Sequence, residues 1–247
     1  MVLKIKSFFM QKTQAIVLQA FRYGESSHVV RIFTRSNGLV SCMVKGSGRR
    51  SALPAVLMQP FSLVDVVMDM RPNRQFQYIR ECNCDQPTDD ITTDPIKNGV
   101  AFFLCEFLCH TLQPAMPDEQ MFDFVRNSIV IFNATERGVA NFHLVFLIKL
   151  TYFFGFFPNL SDFCEGAMFD LSNSLFVHEK ISENTLTADE TLVFVQLMRM
   201  DYANMHLFAL SRTQRNDILQ RIIDYYRLHL PEFGTLKSLD VLKQLYS

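Results

Sequence analysis

Acidic residues are nearly missing from the first 80 positions, where Glu25, Asp65 and Asp69 stand against twelve cations: Lys4, Lys6, Lys12, Arg22, Arg31, Arg35, Lys45, Arg49, Arg50, Arg71, Arg74 and Arg80. That shortage leaves a surplus of nine positive charges. The other 167 residues hold 12 basic and 22 acidic side chains, so the formal net charge of −1 conceals two halves of opposite sign. A basic surface of this density attracts phosphate backbones through counterion release, and the acidic half repels the same ligand. A polyanion is therefore expected on one part of the molecule only.

Other absences narrow the function further. There is no Trp, so the aromatic weight of the core falls on 24 Phe, and most of those rings must be buried in a helical interior. Residues 1–10 carry two lysines and a short apolar run, but no hydrophobic region of signal-peptide length and no small-residue cleavage site. Met10 is a second candidate for the natural start. Without a secretory signal, Cys42, Cys82, Cys84, Cys105, Cys109 and Cys164 are expected as free thiols in a reducing compartment. No membrane span is expected either. The most apolar stretch, 140–157, is interrupted by Asn141, His143, Lys149 and Thr151 and closed by Pro158, and a Lys near a bilayer centre costs roughly 2.5–3.5 kcal/mol. No phosphate-binding P-loop, dinucleotide fingerprint, Ser-His-Asp or Cys-His arrangement or internal repeat occurs, so nothing argues for an enzyme.

What is present divides into two patterns. Short β-branched segments at 13–21, 28–33, 39–45, 61–70 and 75–82 read as strands. Asn37-Gly38 marks a hairpin, and Arg71-Pro72-Asn73-Arg74 a second turn. Five strands with a longer loop between the third and fourth fit an OB-type barrel over 10–84, with an SH3-like barrel as the alternative. A polar linker, 85–94, leads to Pro95, and from 95 to 247 the apolar period becomes helical. Helices are predicted around 100–111, 121–132, 139–154, 186–200, 213–228 and 236–245. The third of these is apolar nearly all round and belongs at the centre of a bundle. Residues 159–189 read as irregular, with a small hairpin at Ser172-Asn173. The fold class is α+β, a five-stranded barrel followed by a helical domain.

The loop Lys45-Gly46-Ser47-Gly48-Arg49-Arg50-Ser51 is the best candidate site: its glycines let a ligand approach the backbone, and its cations match phosphate oxygens. A solvated basic loop without ligand is the plainer alternative. Arg22, Arg31, Arg35, Arg71, Arg74 and Arg80 around it turn the balance toward nucleic acid. Phe76, Tyr78 and Arg80 share one strand face, where rings could stack bases, but with Gln75 and Gln77 opposite them the two rings are more simply inward core residues. Phe21 and Tyr23 are exposed candidates at a strand end. Cys105, Glu106, Cys109 and His110 form two pairs offset by about 100° on one helix, which suits packed thiols better than a metal. Asp65 and Asp69, on one strand face about 13 Å apart by the strand rise, stand too far apart for a shared ion.

In order along the chain, Tyr23-Gly24-Glu25-Ser26-Ser27, Phe33-Thr34 with Gly38, Lys45-Gly46 with Arg49, Arg50 and Ser51, Gln59-Pro60-Phe61, 153–158 and Leu236-Lys237-Ser238-Leu239 resemble the RecO family of bacterial recombination mediators. The resemblance implies an N-terminal OB-fold and a helical C-terminal domain. It implies binding of single- and double-stranded DNA, annealing of complementary strands, recombinase loading with RecR, and docking of the acidic C-terminal tail of single-stranded DNA-binding protein. It also implies a cytoplasmic, nucleoid-associated location. By position it places Lys45, Arg49 and Arg50 in a DNA-contacting loop and offers Arg221, Arg227 and Lys237 as cations for the tail. Many members carry a four-cysteine zinc module after the segment that here reads Gly155-Phe156-Phe157-Pro158. Only Cys164 remains of it, with Ala167 where a partner would stand, so no zinc and no other cofactor is expected. Residues 159–189 must then be held by Phe163, Met168, Phe169, Leu175 and Phe176. A protein adaptor gripping an acidic partner, or a metal-dependent nuclease, are the rival readings.

Overall fold

The computed structural model describes residues 9–25, 27–45, 55–71 and 74–245. Five strands, β1 (Phe9–Tyr23), β2 (Ser27–Thr34), β3 (Gly38–Lys45), β4 (Leu63–Met70) and β5 (Gln77–Gln86), close into a barrel in the order β1-β2-β3-β5-β4. β1 is long enough to serve two neighbours: Phe9 to Ile16 pair with β4, and Ala15 to Tyr23 pair with β2. The barrel closes where β3 and β5 run parallel, at Cys42↔Gln77 and Met43↔Tyr78. This closure is that of an OB barrel and removes the SH3-like alternative.

Alternate residues fill the interior, as strand geometry requires. Ala15, Val17, Val30, Ile32, Val40, Cys42, Val64, Val66 and Met68 form the core with Leu57. Ile16 and Leu18, on the other side of β1, are buried as well, because a helix lies on them. That helix is α2 (Pro95–Thr111), whose Cys105 thiol sits 3.8 Å from the Val17 carbonyl. Asp94 caps it by accepting from the Ile96 and Lys97 amides at 2.7 and 3.1 Å, with Pro95 in the first turn. The predicted linker is corrected. β5 runs on to Gln86, and α1 (Asp89–Thr93), anchored by buried Ile91, occupies most of the rest.

In the hairpin between β2 and β3, only Gly38 adopts the left-handed backbone, at φ 64°. A Cβ there would stand 2.6 Å from the Met116 carbonyl oxygen, so glycine is demanded twice, by conformation and by space. α3 (Glu119–Ala134) packs Phe122 on Phe33 of β2, ring centres 5.5 Å apart. The chain divides into two compact units after Ala134. The barrel and α1 to α3 form the first.

The second unit is built on α4 (Phe142–Leu150), buried on every side except at Lys149. The single helix predicted at 139–154 is shorter than expected. Its ends tighten into 3-10 turns at Val139–Asn141 and Thr151–Phe154, beside the left-handed Gly138 and Gly155. α5 (Ala188–Arg199) and α6 (Arg212–His229) each begin with a reciprocal cap, Thr187 with Glu190 and Ser211 with Gln214. α7 (Ser238–Gln244) follows.

The segment 159–189 contains a hairpin, β6 (Met168–Asp170) and β7 (Leu175–Val177), turning at Ser172-Asn173. Phe169 is its anchor, 5.1 Å from Phe176, 5.2 Å from Phe194 and 6.0 Å from Tyr225 by ring centres, while Phe163 stacks edgewise on Phe176 at 5.4 Å. Buried Asp170 holds the turn by accepting from the Asn173 amide at 3.1 Å and its side chain at 2.5 Å. Leu175, expected in this packing, is corrected: it is exposed.

Candidate nucleic-acid interface

The turn after β1 and the loop before β5 come together at one end of the barrel. Tyr23, half exposed at the end of β1, meets Phe76 with ring centres 5.8 Å apart. Phe21, also exposed, lies in a transverse row with Val29, Met43, Tyr78 and Asp69, strand by strand around the barrel. The Arg74 guanidinium lies over the Tyr78 ring at 5.5 Å. Tyr78 and Phe76 are therefore not inward core residues, which corrects the simpler expectation.

Gln77 is the residue that turns inward. Its side-chain oxygen accepts from the Arg71 amide at 2.7 Å, and its nitrogen donates to the Arg71 and Arg74 carbonyls, each at 3.1 Å. A buried amide satisfied by three backbone groups costs little to bury. It also ties the loop down, which holds the neighbouring rings outward.

The cations sort by partner. Arg22 is exposed, and one of its nitrogens donates to the Glu25 carbonyl at 3.0 Å, bracing the turn. Asp69 is buried and accepts from two guanidinium groups, Arg71 at 3.2 Å to each oxygen and Arg80 at 3.0 Å. Hydrogen bonding to Arg71, joined by that to Arg80, holds its carboxyl below the usual range against the opposing effect of burial. Two cations on one carboxylate leave a surplus positive charge and two forks fixed in place.

Arg35 is differently employed. It forms a two-pronged ion pair with Asp123 of α3 at 2.7 and 2.9 Å and approaches Glu119 at 3.4 Å, so its charge is spent within the fold. Arg31 is half-buried and turns to the Cys109 thiol of α2. Burial pushes that thiol up to about 11, and Arg31 opposes the rise. The Lys45 side chain, Arg49 and Arg50 lie outside the described residues. Sequence reasoning named Tyr23 and Phe76 separately and did not join them, since nothing local relates residues 53 positions apart.

Asp65 and Asp69 do not make a metal pair, because Asp69 gives both oxygens to arginine. No group of three or more His, Cys, Asp or Glu disposed to hold a metal occurs among the described residues, and none of the described helices is long and apolar enough to cross a membrane.

Two family models match the chain, recombination protein O N terminal over residues 10–87 and recombination protein O C terminal over 92–240. The chain belongs to the RecO family. Relatives named DNA repair protein RecO include that of Phocaeicola vulgatus, 41% identical over 240 residues that cover 96% of this chain and all of the relative. That of Bacteroides fragilis is 39% identical over 96% of this chain and 99% of its own length. That of Porphyromonas gingivalis is 31% identical over 95% and 98%. The family's N-terminal model spans the barrel and its C-terminal model begins just before α2, although the first compact unit extends to Ala134.

Of the positions suggested by the RecO resemblance for tail binding, the two on α6 are each paired with a carboxylate and face different ways. Arg221 pairs with Glu190 at 2.6 Å and Arg227 with Asp224 at 3.4 Å. Six residues apart on α6, they are separated by about 9 Å of rise and about 240° of turn. Lys237 stands exposed before α7. At the place of the RecO zinc module, Cys164 is exposed and Ala167 buried.

Proposed function

We propose that this chain is a non-enzymatic DNA-binding protein of recombinational repair, which takes single strands at the barrel end between the β1–β2 turn and the β4–β5 loop. The observation that carries the reading is the pairing of Tyr23 with Phe76 beside Arg74 over Tyr78. Partly exposed rings offer a stacking surface to any base, and adjacent guanidinium groups donate to the phosphates between them, so binding is strong without sequence choice. Duplex DNA is held by its phosphates alone and therefore less tightly. Holding two strands on a cationic surface screens their repulsion and favours annealing of complements. We propose on the same family likeness that it helps load recombinase with RecR and is recruited through the tail of single-stranded DNA-binding protein. Lys45, Arg49 and Arg50, which lie outside the described residues or have undescribed side chains, are proposed from the sequence as further phosphate contacts. Arg35 is left out, because two carboxylates already neutralise it.

Titration of a labelled single strand at two salt concentrations tests the proposal. Replacing Arg22 and Arg74 together by Ala should weaken all sequences alike and reduce the slope of log affinity against log salt by about 0.7 for each lost contact. An unchanged slope removes this end of the barrel from the site, and an absence of DNA binding by the intact protein favours the adaptor reading.

A further inference from the structure

In the second unit, α5 and α6 enclose a cavity of about 220 Å3 that none of the foregoing uses. Leu186, Val193, Phe194 and Ile218 give it apolar walls, and its rim carries Asp189, Glu190, Asp217 and Arg221. The volume falls below the roughly 300–1,000 Å3 of pockets that engulf small molecules. It suits one large apolar side chain, the kind of anchor by which a peptide segment holds to a helical groove.

The charge on the rim decides what accompanies that anchor. Arg221 is neutralised by Glu190, which accepts from its two nitrogens at 3.0 and 2.6 Å. Asp189 and Asp217 are exposed, and neither forms an ion pair among the described residues. The mouth is therefore net negative by two charges, and an acidic segment entering it would meet carboxylates at close range. We propose that this cavity docks a partner segment with an apolar anchor flanked by Lys or Arg. An acidic tail is excluded from it by the same charges, so Arg221 serves to close the rim with Glu190. The proposal is independent of the DNA site on the barrel.

The test uses the full chain and two fluorescein-labelled peptides, acetyl-Lys-Lys-Leu-Phe-Lys-Lys-amide and its counterpart with Glu in place of every Lys, followed by anisotropy. The Lys peptide should bind saturably and the Glu peptide should not. Asp189→Lys with Asp217→Lys should weaken the Lys peptide by at least about tenfold through surface charge reversal. Val193→Trp, which fills the cavity from its half-buried edge, should abolish binding with the helical circular dichroism preserved. Equal binding of the two peptides, an affinity unchanged in the charge-reversed variant, or no saturation by the Lys peptide at about 1 mM, a free energy near −4 kcal/mol, would each overturn the proposal.

Discussion

Replacing Tyr23 and Phe76 by Ala should cost about 1–3 kcal/mol each in affinity for single-stranded DNA, since that is the usual worth of stacking one base on an aromatic ring. Because the two rings touch, at 5.8 Å between centres, the double variant should lose less than the sum of the single losses. The salt slope should stay where it was, because no phosphate contact is removed. Duplex binding should fall less than single-strand binding, since paired bases are already stacked on one another. This combination separates the rings from the cations, whose removal should do the reverse. Tyr23 is half exposed and Phe76 only partly buried, so the fold should survive both changes, which circular dichroism can check. Losses that add fully would mean that the rings serve separate bases, and no loss at all would take the rings out of the interface.

The second large effect concerns stability. His143, fully buried in α4, is pushed down to about 3 by burial, with the charge of Arg215 adding to the shift. Its ordinary value is near 6.5, so the folded protein holds it neutral while the unfolded chain takes up a proton as the pH falls. The stability it contributes is complete above about pH 6.5 and is lost progressively down to about pH 3. On this basis the loss is about 2 kcal/mol by pH 5 and roughly 4–5 kcal/mol by pH 3. Asp69 and Glu190 are both lowered, Asp69 chiefly by its hydrogen bond to Arg71 and Glu190 by the Thr187 amide and Arg221 against its own burial. Their contributions are present above the carboxylate range and disappear below it, so they do not mask the loss that His143 brings between pH 6.5 and 5. Urea unfolding across that interval should show the decline in the wild type and a flatter profile in His143→Gln. An identical decline in both would assign the pH dependence elsewhere.

The barrel was legible because period-two alternation and the Asn37-Gly38 turn are local signals, but the choice of an OB-type over an SH3-like closure rests on the parallel pairing of β3 with β5, which no local signal carries. Which face of β5 points inward was not legible either. Alternation groups Phe76 with Tyr78 and Gln75 with Gln77, but the choice between the groups rests on an apolar-in bias that fails at Gln77, whose amide is satisfied by three backbone groups of the preceding loop. Five residues cannot establish a helical period, so the sequence of α1 is indistinguishable from a polar linker. The surplus of cations was countable, while their use was not. Arg35 meets its carboxylate 88 residues later in α3, and Arg71 and Arg80 share Asp69, pairings that only the folded barrel creates. The hairpin at Ser172-Asn173 was visible from its turn residues. Leu175 was misplaced because apolar character alone does not say which side of a three-residue strand is covered.

Photo-crosslinking of a single strand carrying 5-bromodeoxyuridine, with the adducts mapped by peptide mass spectrometry, locates the bases on the protein without any substitution. Adducts on the peptides that contain Tyr23 and Phe76 are the result this account predicts. Adducts confined to residues 135–247, with the barrel end unmodified at saturating DNA, would contradict it.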